Sequence, residues 1–274
     1  MFAMQRIRPI LRWPGGKTRL LADILPLIRP HKLYAEAFGG GLAVFLAKPP
    51  SAAEVINDFN GDLVNLYRYA QFHLEPLLNE VQFTLTSRAD LDALAAQPGI
   101  TGLQRAARYL LRNRLSFGGN GGSFAVSKQG QPSRENVLAN LRALSARLDK
   151  VSVENLSYER LFTNYDSPDT FWFLDPPYSA GKIDNYDAWT DDTMTTFAER
   201  VFDLKGDWLV TVNDSPLNRS LFARHTVKPV VTRSGAVNKK KLPDATFGEL
   251  IIQRKPVKQV SFKAAAAPAR RAAV

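Results

Sequence analysis

Apolar and polar positions along this chain follow two periods. Short apolar runs bounded by glycine, proline or an acid read as strands, and longer stretches with an apolar stripe read as helices. Residues 33–47 read as a strand, a turn of three glycines (Gly39, Gly40, Gly41) and a helix, and 54–58 reads as a second strand ending on Asp58. A helix is predicted at about 17–25, and from Asn60 the period turns helical toward Leu78. Two more helices open on capping-box spacings, Ser87 with Asp90 and Thr101 with Gln104, the second running to about Ser116. A glycine-rich stretch from Phe117 to Ser133 follows, then a helix to about Lys150. Strand 151–154, a short helix near 157–163 and the buried strand 171–174 come next. A helix from Thr190 to Leu204 and strands at 208–212, 226–232 and 247–252 complete the pattern. Strands alternating with helices across glycine turns predict an α/β fold with a Rossmann-like parallel sheet. Helices between 70 and 150 interrupt that progression.

Composition narrows the chemistry. Cysteine is absent, which excludes disulfides, thiolate metal sites and a cysteine nucleophile. The histidines, His31, His73 and His225, have no metal-ligand spacing. No run approaches the length of a membrane span, and residues 1–12 lack the apolar core of a signal peptide. The net charge of +10 favours a polyanionic partner. Six of those charges, from Arg254 to Arg271, fall in residues 254–274, which hold no acid, and the alanine-rich stretch 264–274 has no periodic apolar face and reads as disordered. Charge alone leaves nucleic acid and an anionic membrane surface equally open.

The most informative stretch is Phe171-Trp-Phe-Leu-Asp-Pro-Pro-Tyr178. Its prolines, Pro176 and Pro177, stop the ladder directly after the acid. Ligands of open α/β sheets bind outside the carboxyl ends of strands, where this segment sets a carboxylate, a rigid turn and an aromatic ring. Asp175 suits an exocyclic amine, and the Pro176 carbonyl accepts a second hydrogen, since proline lacks a donor and not an acceptor. Tyr178 suits stacking on a planar heterocycle, worth roughly 1–3 kcal/mol per base. The bland alternative is a Pro-Pro turn with an exposed tyrosine.

Two other segments bear on ligands. Gly-Gly-Lys-Thr at 15–18 is not a phosphate-binding P-loop: Leu11 stands where its first glycine belongs, and Arg6 and Arg8 argue against a preceding buried strand. Asp58 lies about 20 residues beyond the glycine turn, where Rossmann-type folds present a carboxylate to ribose hydroxyls.

Asp-Pro-Pro-Tyr after an aromatic strand resembles the amino-methyltransferase motif of S-adenosylmethionine-dependent DNA adenine-N6 methyltransferases. In that family a Trp-x-Gly-Gly-Lys segment near the N-terminus lines the cofactor site, and Trp13 and Lys17 match it. Glu36, Phe38, Gly39 and Gly40 resemble its Glu-Pro-Phe-glycine motif, with Ala37 in place of proline and Leu42 where many members carry another glycine. The motif order resembles Dam-type (class alpha) enzymes, including forms carried by phages and prophages or found in restriction–modification systems. The match runs from Trp13 to about Ile252.

The resemblance implies a seven-stranded methyltransferase sheet with an antiparallel hairpin edge. It implies a discontinuous catalytic domain (1–69 and 151–256), a target-recognition insert (70–150) and a disordered basic tail (257–274). S-adenosyl-L-methionine would be the cofactor, without a metal, at Trp13, Lys17, Glu36, Phe38, Gly39, Gly40, Asp58 and Asp175. Asp175, Pro176, Pro177 and Tyr178 would methylate an adenine flipped out of duplex DNA, since its N6 otherwise sits inside a base pair. Arg105 and Arg112, on one helical face with Arg108, suit phosphates, as does Lys239 in the basic loop 233–244; Arg114, Asn120 and Lys128 are candidates for reading bases. A cytoplasmic monomer in a bacterial or phage-infected cell is expected. Cytosine-N4 enzymes usually carry Ser-Pro-Pro-Tyr and glutamine methyltransferases Asn-Pro-Pro-Tyr, so Asp175 favours adenine. RNA adenine stays open, and a DNA-binding module without catalysis would leave Asp175 and Tyr178 without a use.

Overall fold

A computed structural model describes residues 7–83, 87–97, 99–119, 121–122, 124–125, 133–178, 189–233 and 246–255. The apolar runs form strands β1 (Leu33–Glu36), β2 (Ala53–Asn57), β3 (Val151–Glu154), β4 (Thr170–Leu174), β5 (Asp207–Asn213), β6 (Thr226–Arg233) and β7 (Thr246–Gln253). They make one seven-stranded sheet in the order β3-β2-β1-β4-β5-β7-β6. Neighbours from β3 to β5 are parallel, and β7 runs antiparallel to both β5 and β6. The chain leaves β1 toward β2 and β3 on one side and resumes at β4 on the other. Strand order therefore reverses between β1 and β4, the place where open sheets form a ligand crevice. Glu36 pairs with Phe173, so the glycine turn after β1 and Asp175 after β4 emerge side by side.

Strand β4 has no polar alternation because both faces are covered. Phe171 and Phe173 join one core with Tyr34, Phe45 and Ile56, while Trp172 and Leu174 join the other with Phe197, Trp208 and Phe222. All five residues of β4 are buried.

The helices are α1 (Leu21–Ile24), α2 (Ala43–Ala47), α3 (Gly61–Phe72), α4 (Leu74–Gln82), α5 (Arg88–Ala96), α6 (Gly102–Leu115), α7 (Arg134–Leu148), α8 (Tyr158–Tyr165), α9 (Asp191–Phe202) and α10 (Pro216–Leu221). Both predicted capping boxes are present, at Ser87 with Asp90 and at Thr101 with Gln104. The helix predicted at 17–25 is instead a short α1 between two 3-10 turns, the second containing Pro26, whose ring and missing N–H oppose continuation. The run from Asn60 toward Leu78 breaks at His73, where φ is −134°. Helix α10 was not anticipated, although Ser215 as cap with Pro216 in first position is a helix-opening pair.

Between β2 and β3, Leu63 and Leu66 of α3, Leu77 of α4, Leu110 of α6 and Leu141 and Leu144 of α7 share one core with Phe45 and Ile56. These helices extend the sheet's own apolar layer, and the boundary predicted at residue 70 falls inside α3. In the glycine-rich stretch, Ser116 and Phe124 form an antiparallel bridge. The tail beyond 255, the loop 179–188 and most of the basic loop lie outside the described residues.

Candidate active site

The pair Leu174–Val210 places Asp175 beside Thr211, one residue further along each strand. Thr211 Oγ1 donates to Asp175 Oδ1 at 2.8 Å. Lys17 Nζ lies 2.8 Å from the same oxygen. Its ammonium also donates to the Gly15 carbonyl at 2.7 Å and to the Tyr178 hydroxyl at 3.1 Å. Three donors thus have three acceptors. The antiparallel pairing of Asn213 with Glu249 brings a fourth oxygen to this edge. Glu249 Oε2 stands 3.7 Å from Lys17 Nζ and is buried without a hydrogen-bond partner among the described residues. The Asp175 side chain is 20% exposed, and its Oδ2 has no hydrogen-bond partner among the described residues.

The electrostatics follow this arrangement. Burial opposes the Lys17 cation, but Asp175, Tyr178 and Glu249 together more than reverse it and hold its pKa above the usual lysine value. Burial, reinforced by the Asp175 charge, pushes the Tyr178 phenol up. Burial, again with Asp175, pushes the Glu249 carboxyl up against the pull of Lys17.

A second group of residues builds the turn after β1. Asp58 accepts the Gly40 N–H on Oδ2 and the Asn60 N–H on Oδ1, each at 2.9 Å. Tyr67 of α3 donates to the Gly40 carbonyl. Gly40 has φ +47°, and a Cβ there would lie 2.6 Å from Trp13 Nε1, so the turn requires glycine against the indole. Leu42 has φ 58°, the one positive φ outside glycine among the described residues. That conformation costs a side-chain-bearing residue roughly 1–2 kcal/mol, a cost that glycine would avoid. Burial of Leu42 in the core, 1% exposed, offsets the strain.

Trp13, Lys17, Gly39, Gly40, Asp58, Asp175 and Tyr178 therefore gather at one edge of the sheet. Glu36 and Phe38, on either side of Ala37 at the end of β1, pack into the two cores. Glu36 is 1% exposed and accepts from the Tyr34 hydroxyl at 2.6 Å. Burial pushes its carboxyl up to about 8. Phe38 packs edge-on against Trp189 and Phe197, with ring centres 5.6 and 5.7 Å apart. Sequence reasoning missed Thr211, Glu249, Tyr67 and Phe59, the last 67% exposed directly beside Asp58. A polar residue inside an apolar strand was the available signal for Thr211 and Glu249.

The basic face predicted on α6 is divided. Arg105 is exposed, but Arg108 turns back to the Gln97 carbonyl, because that carbonyl ends α5 within its reach. Arg112 packs near Gly121, and Arg114 donates to the Ile10 carbonyl at 3.4 Å. Both have a buried Nε without a partner. Burial, with Arg12 nearby, pushes the Arg114 pKa down. Asn113, also missed, clamps Arg12 through its backbone N–H at 2.8 Å and carbonyl at 2.9 Å. Asn120, Lys128 and Lys239 lie outside the described residues. Among the described residues no cluster of His, Asp and Glu is arranged to hold a metal ion, and no helix is long and apolar enough to cross a membrane.

Residues 13–230 match the model of the D12 class N6 adenine-specific DNA methyltransferase family. The chain belongs to that family. It is a DNA adenine methyltransferase, and membership implies S-adenosyl-L-methionine as the methyl donor. The enzyme is 28% identical over 246 residues to the type II methyltransferase M1.LlaDCHI of Lactococcus lactis subsp. cremoris, covering 79% of this chain and 84% of that one. It is 31% identical over 118 residues to the DNA N-6-adenine-methyltransferase of Escherichia phage P1, covering 41% of this chain and 16% of the other. Among solved structures, the rRNA methyltransferase aviRa from Streptomyces viridochromogenes aligns over 88% of this chain and 86% of its own, at 12% identity and a TM-score of 0.40.

Proposed function

We propose that the enzyme acts on an adenine extruded from double-stranded DNA, with Asp175, the Pro176 carbonyl and Tyr178 holding the base. The observation that carries this reading is the half-open carboxylate: Thr211 and Lys17 occupy Oδ1 of Asp175 and leave Oδ2 without a partner among the described residues. Oδ2 and the Pro176 carbonyl accept the two N6 hydrogens. Drawn toward these oxygens, the amino group loses conjugation with the ring and its lone pair turns outward. Tyr178 stacks on the purine, and Pro177 stiffens the turn that carries it.

The residues present suit S-adenosyl-L-methionine. Asp58, 2% exposed with Gly40 and Asn60 on its two oxygens, holds the glycine turn in shape for the cofactor, and exposed Phe59 beside it offers a flat apolar face to a purine. Asp175 and Glu249 suit a positive charge. When bound, this cofactor supplies an electrophilic methyl group. The chain's own contribution is orientation and a fixed field of charges and dipoles around the amine.

Arg105, Arg112 and Arg114, with Asn120, Lys128 and Lys239, form the DNA-contacting set, and 70–150 is the target-recognition insert on a catalytic domain of 1–69 and 151–256. One chain supplies Lys17, Asp175, Tyr178 and Glu249, which supports action as a monomer, in the cytoplasm where a bacterial or phage genome is accessible.

Single-turnover methyl transfer alongside duplex binding tests the reading. Asp175→Asn places a donor toward N6, so transfer falls at least ~10²-fold, typical for one aligned electrostatic group. Tyr178→Ala is similarly damaging, while Tyr178→Phe keeps much of the rate because the ring does the stacking. Duplex binding persists in all three. Full activity in Asp175→Asn would place the amine site elsewhere.

A further inference from the structure

Lys17 has four acceptors within reach and three N–H bonds to give. Gly15, Asp175 and Tyr178 take them, and Glu249 Oε2 waits at 3.7 Å with none. A buried carboxylate oxygen left without a donor is costly, and it sits here on a strand whose next three residues, Leu250, Ile251 and Ile252, are all core. Nothing in the packing of β7 calls for an acid at this position.

Resting on the reading of Tyr178 as the stacking residue, we infer that Glu249 is a positioning residue: it is the reserve acceptor that takes the Lys17 N–H released when the Tyr178 ring turns onto the target base. In the structure the Tyr178 hydroxyl is tied to Lys17 and the ring centre lies 5.3 Å from Nζ. A ring that leaves to cover a purine withdraws that hydroxyl. The freed N–H then either stays unpaired in a buried site, competes with the substrate amine for Oδ2 of Asp175, or swings to Glu249. Only the last keeps Lys17 on Oδ1 and Oδ2 open. The antiparallel hairpin edge thereby acquires a role in the reaction, because β7 brings Glu249 beside Lys17 at the carboxyl end of β5.

A double-mutant cycle tests this, read by single-turnover transfer and by the fluorescence of 2-aminopurine at the target position of the enzyme's own methylation site, without cofactor. Glu249→Leu lowers both the transfer rate and the extrusion signal about tenfold, the scale of one hydrogen bond to a charged group. In the Tyr178→Phe background Lys17 already depends on Glu249 before the base arrives, so the same substitution costs less than about threefold there. Glu249→Gln keeps an acceptor oxygen and retains at least about a third of the wild-type values. If Glu249→Leu does not fold, Glu249→Met serves the same cycle. Equal losses in the two backgrounds, or no loss in either, would overturn the inference while leaving the stacking reading intact. Unchanged transfer and fluorescence in Tyr178→Ala would overturn both.

Discussion

Two buried lysines meet buried acids at opposite ends of the same sheet, and the pair shows how one set of groups serves structure or chemistry. At the amino end of β2, Lys48 Nζ donates to Glu54 at 2.5 Å, to Ser51 Oγ at 2.8 Å and to the Pro49 carbonyl at 2.8 Å. Glu54 is filled in turn: Arg147 reaches both its oxygens, at 2.5 and 2.8 Å, and the Ser51 N–H adds a third donor at 3.1 Å. Burial pushes the Lys48 pKa down against the opposing pull of Glu54. At the carboxyl end, the Lys17 cluster keeps two oxygens in hand, Oδ2 of Asp175 and Oε2 of Glu249. Three surrounding groups raise the Lys17 pKa despite its burial. A closed cluster fixes α7 to β2. An open one leaves capacity for a ligand, and capacity of this kind marks a functional site.

The largest effect that sharpens this contrast falls on stability. Glu54→Ala strands two buried cations and should destabilise the protein by about 3–5 kcal/mol in urea titrations. Methyl transfer per folded molecule should stay at the wild-type rate. A loss of catalysis with full stability would show that the lower cluster is not merely structural.

Glu36 lies between the two clusters and gives a pH signature. Its carboxyl is raised by burial from 4.5 to about 8, so the folded state binds a proton that the unfolded chain has already lost. The resulting stabilisation is fully present below the unfolded value and is lost as pH rises through the folded one. Between pH 4.5 and 8 the wild-type protein should therefore lose up to about 1.4 kcal/mol per pH unit relative to Glu36→Gln. Parallel stability curves for the two proteins over that window would mean Glu36 is ionised in the fold.

The smallest effect belongs to Thr211→Val, which preserves shape and removes one of the two groups on Asp175 Oδ1. Lys17 still holds that oxygen, so transfer should drop only about fivefold, less than the full contribution of a hydrogen bond to a charged group. The melting temperature should hardly move. A loss as large as that of Asp175→Asn would make Thr211, and not Lys17, the principal anchor.

Much of this was legible in the residues. Capping spacings at Ser87 and Thr101 fixed two helix starts, because a cap is a contact between residues three apart. The strand before Asp175 was readable from its aromatic run, and Lys17, Asp58 and Tyr178 from turn and strand-end chemistry or from resemblance. The face drawn through Arg105, Arg108 and Arg112 was legible only as a spacing. Whether Arg108 met solvent depended on the Gln97 carbonyl, the end of another helix.

Local order therefore came from the sequence by itself: apolar periods, caps, the proline stop after Asp175 and the glycines of the turn all act over a few residues. Tertiary structure decided which of these ends meet. The order reversal between β1 and β4 set the glycine turn beside Asp175, parallel register placed Thr211 against it, and the antiparallel β7 delivered Glu249 from 74 residues further along the chain. Hydrogen bonds and charge interactions fade within a few ångströms while carrying no memory of chain separation, so only the folded sheet could show which oxygens Lys17 fills and which two remain open.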